Sequence, residues 1–187
     1  GRRRGKERSL NSCSLLRMLA TSKDDNIYLD LLLSGISYES FIPFIENKNN
    51  KLQHLHLHRG ILGGPITTSR SSLGLALIKR GVPLHCLQIT NMGGFVNYVI
   101  CGLVEQLLSN PDSTPEILDM SWNERDRGGP NTVRGMENDR YSAISGLLQL
   151  KTCTMIELLI QGNCTITDDI IVDIANALAT NKKLKKI

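Results

Sequence analysis

Apolar residues recur in this chain in two patterns that predict strands and helices in alternation. Several segments follow the order apolar-x-x-apolar-x-apolar-x-x-Asn, and two of the four complete copies keep the final Asn, at Asn123 and Asn163. Apolar and polar residues that alternate over a few positions predict a short strand with one buried face. The four complete copies occupy residues 52–60, 84–92, 115–123 and 155–163, an earlier copy lies near 26–34 in a register that the sequence leaves open, and another begins at 184–187.

The stretches around these segments have apolar residues three and four positions apart, the spacing of one face of an α-helix. Pro43 lies within the second stretch and should make that helix short or bent. Thr167 is the expected N-cap of the last helix, with Asp168 and Asp169 in the first turn, where the helix dipole favours acids. The chain thus repeats a strand, a turn and a helix, with helical patterns at residues 14–21, 41–46, 73–79, 96–108, 141–150 and 174–181.

The repeated unit resembles that of leucine-rich repeat proteins, specifically the ribonuclease-inhibitor-like type, whose long repeats carry a true helix. The closest copy spans residues 155–183, a unit of 29 residues, and the resemblance extends over about 14–187. It implies an α/β solenoid, a horseshoe arc with a parallel concave sheet and convex outer helices. One strand and one helix cannot bury their own apolar faces, so neighbouring units must supply the missing ones.

The repeat pattern also predicts the core. Apolar strand residues should point toward the helices, because side chains on a strand alternate between two faces. The side chains of Asn123 and Asn163 should bond backbone groups at turns and have no part in any chemistry. The predicted inward residues are Leu55, Leu57, Leu87, Ile89, Leu118, Met120, Leu158 and Ile160.

The predicted organisation is a basic, flexible flank over residues 1–13 and one leucine-rich-repeat domain of about five irregular repeats over 14–187. A charged segment with Gly and Pro at 124–140 is expected to form a loop excursion. The sequence ends at residues 184–187, inside a new strand, and would leave an open sheet edge. We therefore expect this chain to be a piece of a longer repeat protein. Four lysines offer another way to shield that edge, namely Lys182, Lys183, Lys185 and Lys186.

Charge and composition narrow the class of protein. The net charge is +4 at pH 7, but residues 1–8 hold five basic side chains and one acid, so the rest of the chain is neutral. A neutral body argues against a nucleic-acid surface, except through the basic tail. No apolar stretch reaches the roughly 18 residues of a bilayer-spanning helix, and the basic start lacks the apolar core of a signal peptide. The five cysteines cannot all pair within one chain and include no Cys-x-x-Cys, which favours reduced thiols in the cytoplasm.

Function in this architecture is expected on the strand side chains that point away from the core. These residues mix acids, amides, imidazoles and rings, a composition typical of a surface that binds another protein. Trp122, at the margin of the sheet, either anchors a partner or covers the core. The predicted partner-binding residues are Tyr28, Asp30, His54, His56, His58, Gln88, Asp119, Ser121, Trp122, Glu157 and Gln161.

Three of the four histidines share one face of one predicted strand. Same-face Cα atoms are about 6.6 Å apart, so a His-x-His pair can bind one metal ion. Cys86 is expected beside His54, with Asp30 on the other side, which makes His54, His56 and Cys86 the candidate ligands of a zinc site. The alternatives are a neutral or partner-contacting polar surface and a contact that responds to pH near neutrality.

These observations lead to the hypothesis of a protein–protein interaction module that binds a partner through its concave sheet and is part of a longer protein. Two alternatives stay open: the substrate-recognition arm of a larger enzyme, such as a ubiquitin ligase or an effector, and a scaffold subunit of a permanent assembly, with or without RNA. The sequence predicts no catalytic residue, no cofactor and no small-molecule substrate, because an open sheet offers no enclosed pocket.

Overall fold

Five parallel strands form one sheet, in the order in which they occur along the chain. The structure, a computed structural model, describes residues 27–32, 38–58, 72–91, 96–123, 136–163 and 166–187. The five parallel strands confirm the predicted α/β class and parallel sheet. The basic flank 1–13 and the first predicted helix, 14–21, lie outside the described residues. The strands are β1 (Ile27–Leu32), β2 (Leu52–His58), β3 (Cys86–Thr90), β4 (Ile117–Asp119) and β5 (Glu157–Leu159).

A helix follows each strand and carries the chain toward the next one. Parallel neighbours cannot be joined by a tight hairpin, so each pair needs such a crossover. Every helix contacts the next helix in the chain, which makes a helical layer beside the sheet. None of the helices within the described ranges is long and apolar enough to cross a membrane. The helices are α1 (Tyr38–Glu46), α2 (Ser72–Arg80), α3 (Val96–Ser109), α4 (Met136–Gln149) and α5 (Asp168–Thr180), with a short 3₁₀ turn at Pro111–Ser113.

Helix α4 starts earlier than the sequence predicts, whereas the short α1 and the position of the α5 N-cap agree with the prediction. Helix α4 begins at Met136, inside the segment 124–140 that was expected to be a loop, and residues 124–135 lie outside the described ranges. Helix α1 has nine residues and contains Pro43, so it is short, as predicted. Thr167 precedes α5 as its N-cap, but its side chain makes no capping hydrogen bond. The backbone carbonyl of Thr167 accepts the N–H of Ile171 at 3.1 Å, the first hydrogen bond of the helix.

The strands pair in the register that the repeated pattern predicts. Leu55 pairs with Leu87, which pairs with Leu118, which in turn pairs with Leu158. Side chains of equivalent repeat positions therefore stack into continuous apolar rows between sheet and helices. Seven of the eight predicted inward residues are buried, and Ile160 is partly buried against the same core cluster, which also contains the helix residues Leu73, Leu77, Leu103, Leu107, Leu147 and Ile174.

Two asparagine side chains tie neighbouring repeats together at the ends of the strands. The Asn123 amide donates to the carbonyls of Ile89 and Met120, both at 2.7 Å. The Asn163 amide donates to Met120 at 3.0 Å and to Ile160 at 2.7 Å. The carbonyl Oδ1 of Asn163 accepts the backbone N–H of Asn123 at 3.0 Å. The predicted structural role of both residues is confirmed.

Arg80, the last residue of α2, is the largest fully buried side chain among the described residues. Its guanidinium donates to the carbonyls of Leu52 at 2.7 Å, Asn50 at 3.2 Å and Val82 at 3.2 Å. Burial lowers the pKa of Arg80. These bonds join the end of one helix to the turn that enters β2, so this arginine supports the fold and is withdrawn from the surface.

Residues after α5 return to the sheet. Lys186 forms a parallel bridge with Glu157, the backbone N–H of Leu158 donates to the Lys186 carbonyl at 3.0 Å, and Lys185 donates to Ile156 at 2.8 Å. The ammonium of Lys186 also contacts the Glu157 carboxylate. The predicted start of a further strand at 184–187 thus lies beside β5.

Candidate interaction surface

The strand residues that alternate with the buried leucines form the face of the sheet that we name the open face. On β2, His54, His56 and His58 are partly exposed, whereas Leu55 and Leu57 between them are buried. The strand register arranges the open face in three rows, which are Tyr28–His54–Cys86–Ile117–Glu157, Asp30–His56–Gln88–Asp119–Leu159 and His58–Thr90.

Asp30, His56 and His58 form the tightest cluster of ionisable groups on this face. The Asp30 carboxylate lies 2.7 Å from Nε2 of His58 and 3.5 Å from Nδ1 of His56. The two imidazoles stack, with their centroids 4.6 Å apart, and Nε2 of His56 hydrogen bonds to Oγ1 of Thr90 at 2.8 Å. The register places Asp30 opposite His56 and Tyr28 opposite His54, so Asp30 is not beside His54 as expected.

His54 belongs to a separate group of rings. Its imidazole lies 5.6 Å from the Tyr28 ring and 5.1 Å from the His85 ring, measured between centroids. Burial lowers the pKa of His54, and the charge of His85 lowers it further. Nδ1 of His85 in turn lies 2.9 Å from a carboxylate oxygen of Glu116. At neutral pH His54 is therefore an uncharged ring available for stacking.

The sequence prediction overlooked His85 and Glu116. Both occupy the second position of their repeat copies, 84–92 and 115–123, one residue before Cys86 and Ile117 of the open face. Because repeat positions align across the sheet, the same alignment would have placed the two side chains next to each other. A shallow polar depression lies here, lined by both residues together with Gln53, His54, Pro83 and Leu84.

Asp119 and Ser121, two of the predicted contact residues, are withdrawn from the surface. Their exposed fractions are 8% and 1%. The Asp119 carboxylate accepts the backbone N–H of Ser121 at 2.9 Å and the side-chain amide of Gln88 at 3.2 Å. Asp119 thus stabilises the turn after β4, and neither residue presents enough surface to contact a partner.

Cys86 lies opposite His54, as predicted, but its thiol is a weak nucleophile. Burial raises the pKa of Cys86 to about 11, and the carboxylates of Asp119 and Glu157 add to that rise. A thiol with such a pKa is almost entirely protonated at neutral pH, which disfavours both nucleophilic attack and metal binding. Among the described residues, the group of potential ligands that lie together is Asp30, His56 and His58, without His54 or Cys86.

Trp122 lies just beyond the C-terminal end of β4 and is 55% exposed. Its backbone adopts a φ of 60°, and its N–H donates to the carbonyl of Gln161 at 2.9 Å. The indole packs so closely over Gly162 that a side chain at that position would overlap it. The ring therefore covers the adjacent turn on one side and faces solvent on the other.

The remaining predicted contact residues lie on the same side of the sheet or at its margin. Tyr28 is 57% exposed, Gln88 and Glu157 are partly exposed, and Gln161 is exposed. The geometry supplies rings, imidazoles and carboxylates on one surface. A comparison with protein-family models, curated proteins and solved structures finds no match to this chain.

Proposed function

We propose that this chain is a short leucine-rich-repeat module of the ribonuclease-inhibitor-like type that binds a partner protein through its open face. The observation that carries the proposal is the alternation on the sheet. Leucines from successive repeats pair in register and are buried, while His54, His56, His58 and Gln88 on the other face of β2 and β3 are partly exposed.

The repeat assignment is supported by the equivalence of successive units. Each unit places a strand beside the previous strand and a helix against the previous helix, as expected when single units cannot bury their own apolar faces. Asn123 and Asn163 occupy the same repeat position and share the Met120 carbonyl as an acceptor. This arrangement favours a solenoid, a stack of units in which the last two complete copies are joined by equivalent asparagine contacts, with the sheet on its concave side.

The chemistry of the open face favours a protein partner. Tyr28 and Trp122 are large rings with more than half of their surface exposed, and such side chains provide much of the binding energy at protein interfaces. Asp30 carries an exposed carboxylate beside two partly exposed imidazoles. A partner with a complementary apolar segment and a basic group would satisfy both features.

The test begins with site-specific cross-linking. The photoreactive amino acid p-benzoylphenylalanine is introduced at the position of Tyr28 and, in a separate chain, at Val172, which is exposed on α5. Both chains are irradiated in lysate, and proteins cross-linked only through the Tyr28 position are identified by mass spectrometry. The identified protein is then purified, and its dissociation constant is measured by calorimetry.

We expect Tyr28→Ala and Trp122→Ala each to weaken that complex by about tenfold or more, the loss typical of a central interface ring. The matched control is Leu75→Ala, because Leu75 is an exposed residue of helix α2, and it should change the affinity less than twofold. Circular dichroism verifies that every variant is folded. Equal weakening by Leu75→Ala, or no effect of both ring variants, would place the interface elsewhere.

A further inference from the structure

The cluster of Asp30, His56 and His58 has a donor set that points to a metal ion. We propose that these residues bind one divalent transition-metal ion, and that zinc is the ion that suits them best. This site shares His56 with the ligands expected from the sequence but has Asp30 and His58 in place of His54 and Cys86, and it does not depend on the proposed protein binding.

The first support is geometric. Each of the three residues offers one ligand atom, and these atoms all lie within 4.8 Å of one another. Nε2 of His58 and Nδ1 of His56 both approach the Asp30 carboxylate, at 2.7 and 3.5 Å. Zinc–ligand bonds of about 2.0–2.2 Å in a tetrahedron place ligand atoms about 3.3 Å apart, so modest side-chain rotation closes the site.

The second support is the type of ligand. Two imidazole nitrogens and one carboxylate oxygen match sites that bind zinc through three protein groups and leave a fourth position open. Calcium and magnesium prefer all-oxygen sites, so they fit this set poorly. The side chains of His56, His58 and Asp30 are 20%, 27% and 47% exposed, so an ion can enter from solvent and keep a water molecule.

The third support is the group behind His56. Metal-binding histidines usually donate their second ring N–H to a neighbouring acceptor, which orients the ring. Nε2 of His56 lies 2.8 Å from the hydroxyl of Thr90. An imidazole that donates from Nε2 presents the lone pair of Nδ1 toward the Asp30 carboxylate, and a cation between these two groups satisfies both. Thr90 therefore acts as a positioning residue.

The experiment uses the full chain after treatment with a chelator. Zinc is titrated by calorimetry, and the bound metal is counted by plasma mass spectrometry after gel filtration. We expect one zinc ion per chain. Cobalt(II) is then bound in place of zinc, and its visible spectrum should indicate nitrogen and oxygen ligands without a thiolate-to-metal charge-transfer band.

Substitutions assign the site. Asp30→Asn and His58→Ala should each lower zinc affinity by more than 100-fold, whereas Thr90→Val should lower it by about 10- to 100-fold, as for other second-layer partners. The matched control is His54→Ala, which removes a histidine from the same face of β2 and should leave the affinity unchanged. Circular dichroism establishes that each variant is folded. If His58→Ala does not fold, Asp30→Asn still tests the site, because asparagine has nearly the same shape as aspartate.

Three results would overturn the proposal. The first is that the chelator-treated chain binds less than one equivalent of zinc at micromolar concentrations. The second is that Asp30→Asn keeps the wild-type affinity. The third is a thiolate charge-transfer band in the cobalt spectrum, which would assign the metal to cysteines instead.

Discussion

Asn163 offers the sharpest test of how the repeats are held together. Its buried side chain donates to the carbonyls of Met120 and Ile160 and accepts the N–H of Asn123. A typical internal hydrogen bond contributes about 1 kcal/mol net, and a buried group left without a partner costs about 1–3 kcal/mol. The change Asn163→Ala removes three bonds and leaves the Asn123 N–H without this acceptor. We expect it to lower the free energy of unfolding by about 2–4 kcal/mol.

One further variant separates the donor and acceptor contributions of Asn163 to stability, and another serves as a control. Asn163→Asp keeps an acceptor for Asn123 but loses both donors and places a carboxylate beside two carbonyls, so it should destabilise at least as much as alanine. The matched control is Asn176→Ala, because Asn176 is exposed on α5. That change should lie within about 0.5 kcal/mol of the wild type.

The assay is urea unfolding followed by circular dichroism and by fluorescence. Trp122 is the only tryptophan of the chain and lies within two residues of Met120, so its emission reports on this turn. Coincident transitions by both probes justify a two-state analysis, and an unchanged m-value assigns the shift in midpoint to stability. If Asn163→Ala lies within 0.5 kcal/mol of the wild type, the asparagine contacts do not join the repeats as we argue.

Two other predictions concern the core and the cysteines. Leu158→Ala should lower the free energy of unfolding in urea by about 2–5 kcal/mol, because Leu158 is fully buried in the apolar rows and its truncation leaves a cavity. The control is Leu159→Ala, on the partly exposed face of the same strand, which should lower it clearly less. Cys86, whose pKa in the folded chain is raised to about 11, should react with iodoacetamide at pH 8 far more slowly in the native chain than in urea. In the native chain only about a thousandth of this cysteine is thiolate at that pH. Peptide mass spectrometry measures both rates, and equal rates would contradict the burial of this thiol.

The sequence alone was sufficient for the elements that depend on periodicity. A period of two places Leu55 and Leu57 on one face of a strand and His54, His56 and His58 on the other, whatever the neighbours are. The repeated spacing of leucines also predicted which residues pair across the sheet, because equivalent units stack at equivalent positions. Asn123 and Asn163 were assigned to turns for the same reason.

Other features depended on contacts that no local pattern encodes. Helix α4 begins at Met136 in a charged stretch, where its apolar periodicity is too weak to locate its start. Asp119 is buried because β4 ends there and its carboxylate turns to the N–H of Ser121. Alternation thus placed Asp119 on the correct face but did not predict its burial, whereas Ser121 lies beyond β4, where the alternation rule no longer applies.

The Asp30 cluster shows most clearly what the tertiary structure decided. The pairing of β1 with β2 shifts by one residue between Ile27 and Tyr28, and this irregularity places Asp30 opposite His56; the register of Ile27 with Leu52, continued unchanged, would place it opposite Leu55. Sequence periodicity determines the face on which a residue lies, but the register between two strands is decided by how their whole lengths pack. The residue types of the candidate site were therefore evident in the sequence, while their grouping was decided by the fold.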